Sequence, residues 1–257
     1  MNLTQMRAGL VAAELDVAHF NALRTSAGES PAGIARGSTE FFETLVDPAR
    51  PASPYYNRAV ARSAGPLPAA ALLGLPSVIA GIELTPAQLT PDSADQLLAL
   101  GFRPDHQLCY LGQIPVGRRP VEHAVVRLAP AQTDLFFDLL ELSGVAFPPD
   151  KRERKRNFYC TDTFQAFVAK AADGTVCGWT TMHVAGTVAF FGNSFTLPQF
   201  RGAGVHTALL VARLDAAAAL GLEAAYTDVE HGSQSHHNCE RTGFRTLTIN
   251  MIWTRRR

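Results

Sequence analysis

No stretch of this chain approaches the run of about 20 apolar residues that crosses a bilayer as a helix, so no membrane span is expected. Met1 to Phe20 lack a compact apolar block and carry Arg7, Glu14 and Asp16, so no secretory leader is expected there. An excess of either charge is missing too: 23 Lys and Arg balance 23 Asp and Glu, and the formal net charge is zero. A neutral chain exerts no long-range pull on nucleic acid or on an anionic membrane, and neither is expected as a partner. Charged residues make up only 18%, which leaves ample material for a buried core. The few cysteines, Cys109, Cys160, Cys177 and Cys239, form no Cys-x-x-Cys pair. That spacing argues against a zinc centre and a disulfide framework, and for a reducing, cytoplasmic setting. His236 and His237 are neighbours on a short expected helix and cannot share a face, so no metal site is expected.

What the chain does have is concentrated in Phe195-Thr-Leu-Pro-Gln-Phe-Arg-Gly-Ala-Gly-Val-His-Thr-Ala-Leu-Leu210. A short apolar run ends at Pro198, a basic glycine turn follows at Arg201 to Gly204, and an Ala- and Leu-rich helix begins at Val205 and runs to Gly221. Gly202 and Gly204 let the backbone turn tightly and approach a ligand. The unpaired N–H groups of the helix's first turn favour an anion, and Arg201 adds a fixed charge with forked donors. The pattern points to a phosphate-bearing ligand. It lacks the Gly-Lys-Ser/Thr ending of a nucleotide-triphosphate loop, and Thr207 stands where a dinucleotide fingerprint needs its third glycine.

Pro198-Gln-Phe-Arg-Gly-Ala-Gly204 resembles the Pro-x-x-Arg-Gly-x-Gly core of the GNAT superfamily of N-acetyltransferases. Downstream, Leu222 to Glu230 reads as a strand, and Gly232-Ser-Gln-Ser-His-His-Asn-Cys-Glu-Arg-Thr-Gly-Phe244 resembles that family's second signature. Ser233 is an N-cap for the short helix and Gly243 ends it. The resemblance implies an α/β fold, a central mixed and mostly antiparallel sheet flanked by helices, and acetyl-CoA as cosubstrate. It implies that backbone around Phe195, Thr196 and Leu197 holds the pantetheine arm. Arg201, Gly202, Ala203, Gly204, Val205, His206 and Thr207 would hold the pyrophosphate, and Asn238 would contact the cofactor. Two positions depart from the family. Cys239 stands where many members place a thiolate-protonating Tyr, and His206 stands where the family prefers Gly or Ala.

The elements along the chain fit this order. His123 to Ala129 reads as a strand, and Ala131 to Leu142 as a helix with a stripe of Leu135, Phe136, Leu139, Leu140 and Leu142. Phe164–Ala172 and Val176–Val184 form two strands joined at Asp173-Gly174, a hairpin signal. Val188 to Phe191 is a further strand, and Leu247 to Trp253 alternates as an edge or last strand does. Lys151 to Arg156 is a charge run, read as a solvated helix face or as a surface for phosphate or an acidic substrate. The first half, rich in Pro, Ala and Gly between Ala27 and Pro76, carries an echo: a strand at Ser77–Leu84, a helix at Asp92–Leu100 opened by Thr90-Pro91, then Gly101-Phe102-Arg103 and a strand. The same order recurs at Gly243-Phe244-Arg245, which suggests an internal duplication. Tyr56-Asn57-Arg58 resembles a segment of tandem members of the family. This half has no Arg-Gly-x-Gly loop, because Arg62-Ser-Ala-Gly65 has one glycine and leads into Pro66. Two domains are therefore expected, a degenerate GNAT-like domain at 1–115 and a catalytic one at 120–257, with Gln113 to Pro120 as linker.

The resemblance implies an N-acetyltransferase that passes an acetyl group to the primary amine of a small molecule or peptide within a ternary complex. The alternative is an acyl-CoA-binding or regulatory module without catalysis. Cys239 is the candidate acid. Asp228 and Glu230, with His231, are candidate bases at the end of the strand facing the expected acetyl group. A homodimer is an open possibility.

Overall fold

Capping and turn residues set most element boundaries in the computed structural model, which describes residues 3–26, 33–62, 65–117, 121 and 123–255. Thr90 caps a helix by accepting from the Ser93 N–H at 3.1 Å, while Ser93 Oγ accepts from the Thr90 N–H at 2.8 Å. Gly101 and Gly243, at φ 85° and 97°, end two helices in the left-handed conformation that suits glycine. The following Phe102 N–H reaches the Leu97 carbonyl at 2.9 Å and the Phe244 N–H reaches the Cys239 carbonyl at 3.1 Å, one capping motif used twice. Both phenylalanines are buried.

The elements are α1 (Leu3–Thr25), β1 (Ala35–Ser38), β2 (Phe42–Val46), β3 (Arg58–Ala61), α2 (Ala69–Leu73), β4 (Gly81–Leu84), α3 (Pro91–Ala99), β5 (Arg103–Gln113), β6 (Ala124–Arg127), α4 (Thr133–Leu142), α5 (Pro149–Lys155), β7 (Phe164–Lys170), β8 (Val176–Ala185), β9 (Val188–Thr196), α6 (Val205–Ala219), β10 (Ala224–Glu230), α7 (Gln234–Arg241) and β11 (Arg245–Thr254). The chain divides into two compact units, one of Asn2–Tyr110 with Leu247–Arg257 and one of Leu111–Thr246. The bounds of these units differ at the C-terminus from those of the expected domains. Residues 247–257 belong with the first unit, because Met251–Thr254 of β11 pair antiparallel with Gly81–Leu84 of β4. The expected linker ends in residues 118–120, outside the described residues.

In the first unit β1, β2 and β3 pair antiparallel, and β3 pairs parallel with β4 through a crossover that holds α2. Its apolar core includes Phe42, Leu67, Ile82, Leu97, Phe102 and Trp253. Buried beside that core, Arg58 lies 2.7 Å from Glu14 and 2.6 Å from Glu83, and Tyr110 Oη lies 2.9 and 2.7 Å from the same two carboxyl groups. Burial pushes the Glu14 carboxyl well above its ordinary range, against the pull of Arg58. A protonated Glu14 lets one guanidinium and one phenol proton serve two carboxyl groups.

In the second unit β6, β7, β8 and β9 pair antiparallel in sequence order, and β9 pairs parallel with β10 across α6. This repeats the β2–β3–β4 pairing of the first unit at larger scale. The crossover helix is 15 residues in α6 and 5 in α2. Helix α4 buries Phe136, Phe137, Leu139 and Leu140, while Leu135 and Leu142 of the expected stripe are exposed. Phe136 meets Trp179 edge-on at 5.4 Å, and the Trp179 indole N–H donates to the Leu139 carbonyl at 3.1 Å. Helix α1, strands β1 to β3 and helix α2 have no counterpart among the sequence expectations. All four cysteines are buried free thiols. Among the described residues no helix is long and apolar enough to cross a membrane.

Candidate functional site

Strands β9 and β10 run side by side only from Val188 with Ala224 to Phe191 with Thr227. Both then continue, β9 to Thr196 and β10 to Glu230, with no further pairing between them. On its other side β9 pairs with β8, but Thr180 opposes Ser194 and Met182 opposes Phe191. Gly192 and Asn193 therefore face Thr181 alone, a bulge that bends β9 away from its partner. Glycine is needed there, since a Cβ on Gly192 would stand 2.8 Å from Thr181 Oγ1. The opening holds a cavity of about 180 Å³, lined by the bulge, by Thr227, Asp228 and Val229 of β10, by His206, Leu210 and Arg213 of α6, and by Ser235 and Cys239 of α7.

Beyond Leu197, Pro198–Phe200 make one tight helical turn and Arg201 is extended. Gly202 and Gly204 follow at φ 81° and 76°, a conformation side chains resist. A Cβ on either would meet nothing within 4 Å, so the space above the loop is open. No side chain caps α6, and its first bond is Ala208 N–H to the Gly204 carbonyl at 3.0 Å. The amides of Val205, His206 and Thr207 thus have no partner within the helix. His123 Nε2 donates to the Ala203 carbonyl at 2.6 Å and ties the loop to the start of β6.

Two basic side chains, Arg213 and His206, line the cavity, and neither pairs with a carboxylate among the described residues. Arg213 is 2% exposed. Its guanidinium donates to the carbonyls of Leu209, Thr181 and Gly192 at 3.3, 3.2 and 3.3 Å and to Ser194 Oγ at 3.3 Å. It stacks 4.4 Å from the centre of the Phe191 ring. Burial lowers its pKa to about 9. His206 Nδ1 accepts from Asn238 Nδ2 at 3.0 Å, and Asn238 Oδ1 accepts from Gln234 Nε2 at 2.9 Å. Burial first, and the Arg213 charge second, lower the His206 pKa to about 4, so the ring is neutral with its proton on Nε2.

Residues 133–244 match the family model described as Acetyltransferase (GNAT) family. This segment is a GNAT-family acetyltransferase domain. No curated protein matches the chain by sequence. Among solved structures, a GCN5-related N-acetyltransferase from Kribbella flavida is similar at TM-score 0.63 and 16% identity, over 95% of each chain. A GCN5-related N-acetyltransferase from Sphaerobacter thermophilus is similar at TM-score 0.54 and 14% identity, over 96% of this chain and 90% of that one. A tandem GNAT protein from the clavulanic acid biosynthesis pathway is similar at TM-score 0.51 and 14% identity, over 99% of this chain and 96% of that one. At such identities the likeness is one of fold, and it extends across both units.

Of the residues expected in the GNAT domain's site, Cys239, Asp228 and His206 line the cavity. Cys239 is buried and Asp228 is exposed. Glu230 and His231 are exposed and not among the lining residues. Asn238 faces His206 rather than standing unengaged. Phe195 stacks on Trp179 at 6.2 Å. The charge run folds back on its own surface: Arg152 pairs with Asp138 and Glu141, Arg154 with Asp150, and Arg156 with Asp134. The sequence expectations missed Arg213, the bulge at Gly192–Asn193 and His123. A signal for Arg213 exists, because it continues the spacing of His206 and Leu210 on a helix face otherwise filled by Leu and Ala.

Proposed function

We propose that the GNAT domain is an acetyl-CoA-dependent N-acetyltransferase that acts on the primary amine of a small molecule or peptide, both substrates being bound together. The observation that carries this reading is the uncapped glycine loop at the head of α6, opening toward a cavity between diverging strands. The residues present fit the cofactor. Positive φ at Gly202 and Gly204, open space where their side chains would be, and unpaired amides at Val205, His206 and Thr207 form an anion cradle. Arg201 and the His123-tethered Ala203 complete it. Gly192 to Thr196, the part of β9 that leaves β10, and Leu197 after it offer backbone groups to the pantetheine arm. When bound, acyl-CoA supplies an acyl carbonyl activated as a thioester.

The protein's own groups then divide the work of positioning and proton transfer. Asp228, exposed at the cavity, takes the proton of the incoming ammonium directly or through water. Cys239, buried on the cavity lining, is the proton donor available to the departing thiolate. Arg213 holds the bulge by binding the carbonyls of Thr181 and Gly192, which fixes the backbone around the reacting carbonyl. Glu230 is exposed and lies off the cavity lining. The first unit has no counterpart of the loop: β3 leads to a helix of only 5 residues, whose N-cap is Pro68. Cofactor binding is therefore assigned to the second unit alone.

Steady release of thiol from acetyl-CoA in the presence of an amine panel tests the assignment. Amine-dependent release is expected. CoA binding without release for any amine would replace the enzyme by an acyl-CoA-binding module.

A further inference from the structure

Arg213 is more than the bulge requires. Two backbone carbonyls can be held by a neutral amide or by water, without the cost of desolvating a permanent charge. Its four hydrogen bonds are all 3.2–3.3 Å. Charge-assisted bonds to an anion are shorter, about 2.7–2.9 Å. A guanidinium has five donors, so four bonds leave one Nη2 hydrogen without a partner among the described residues. The lining is mixed: Ser194, Thr227 and Ser235 are polar, and Phe191, Leu210 and Val229 are apolar. Asp228, the carboxylate among the described lining residues, is exposed, whereas Arg213 is buried.

Position relates this charge to the phosphate loop. His206, Leu210 and Arg213 lie on one face of α6 and lead inward from the glycine cradle. At about 1.5 Å per residue, Arg213 stands about 14 Å along the helix from Gly204. A ligand anchored by its pyrophosphate at the loop runs its acyl end toward this part of the cavity.

We infer that the cavity is built for an acyl group ending in a carboxylate, a dicarboxylic acid joined to CoA through one thioester, with Arg213 as its buried counter-ion. This rests on the acyl-CoA reading above and extends it: acetyl-CoA remains a donor, and a carboxylate-ended acyl-CoA binds more tightly. The ligand brings the anion that the fold omits. The paired charge then repays a desolvation that the free protein bears unaided.

Calorimetric titration of the full chain with CoA, acetyl-CoA, malonyl-CoA and succinyl-CoA tests this without knowledge of the amine. The expected result is that malonyl- or succinyl-CoA binds at least about tenfold more tightly than acetyl-CoA, the worth of one charge-assisted hydrogen bond. In Arg213→Gln that ratio falls to about one, and in Arg213→Lys, which keeps the charge, part of it remains. Equal affinity for all three acyl-CoAs in the unaltered protein overturns this inference while leaving the acyl-CoA reading intact. Failure of CoA and every acyl-CoA to bind overturns both. The comparison within the unaltered protein decides the matter even where a variant does not fold.

Discussion

His206 shows at the scale of one residue what the fold exacts for its cavity. The ring is held neutral by burial and by the nearby Arg213 charge, with a pKa of about 4 against an ordinary 6.5. Between those two values the unfolded chain binds the proton that the folded chain refuses, so stability rises with pH across that window and is lost as pH falls from about 6.5 toward 4. With allowance for the ring's partial exposure, the loss attributable to His206 is on the order of 2 kcal/mol. The measurement is denaturant unfolding of the unaltered protein and of His206→Gln at several pH values. The difference between their stabilities is expected to change by that amount across the window. A constant difference would show that the ring is solvated rather than buried. The same residue shows where sequence reading stopped. Its departure from the family's small residue was legible, and the alternatives were crowding of the pyrophosphate or an added donor. The structure turns the side chain toward Asn238 and Arg213, a direction that depends on α7 and on the buried charge, and neither is local in sequence.

At the scale of elements, the best-read features are those whose cause lies within a few residues. The Asp173-Gly174 hairpin is one: Gly174 has φ 86° and the Thr175 N–H donates to Asp173 Oδ1 at 2.9 Å. The strand, glycine turn and helix around Gly204 are another, and so is Ser233, whose hydroxyl accepts from the His236 N–H at 3.1 Å. The repeated Gly-Phe-Arg was read as an echo, and it marks the same helix ending in both units. Alanine at Gly101 or Gly243 forces a Cβ into the left-handed region, at a cost of about 1–2 kcal/mol each. For Gly101 the nearest heavy atom is Arg255 Cδ at 3.7 Å, so the cost is conformational rather than steric. Thermal unfolding of each variant should show that loss. An unchanged midpoint for both would mean that the shared ending is incidental. What escaped the sequence reading lacks such local causes. Helix α1 has no pronounced apolar stripe, β1 is four exposed residues, and the β9 bulge exists only through its register with β8.

At the scale of the whole molecule, the sequence order of elements was readable and their grouping was not. Reading along the chain put everything after residue 120 in one domain. The structure assigns 247–257 to the other unit, because strand pairing between β11 and β4 joins residues more than half the chain apart in sequence. No pattern of alternation in Leu247–Trp253 says which strand it will pair with. The doubled β–β–β–helix–β order and the fold likeness across both units point to a duplicated architecture in which one copy keeps the anion cradle. The central claim is therefore that one loop, Arg201 to Thr207, carries the cofactor for the entire chain. Calorimetric titration of CoA into the unaltered protein and into Gly204→Glu tests it most directly. The account predicts one CoA per chain in the first case and no measurable binding in the second, with circular dichroism and unfolding midpoint showing that the variant is folded. Undiminished CoA binding by folded Gly204→Glu would contradict it.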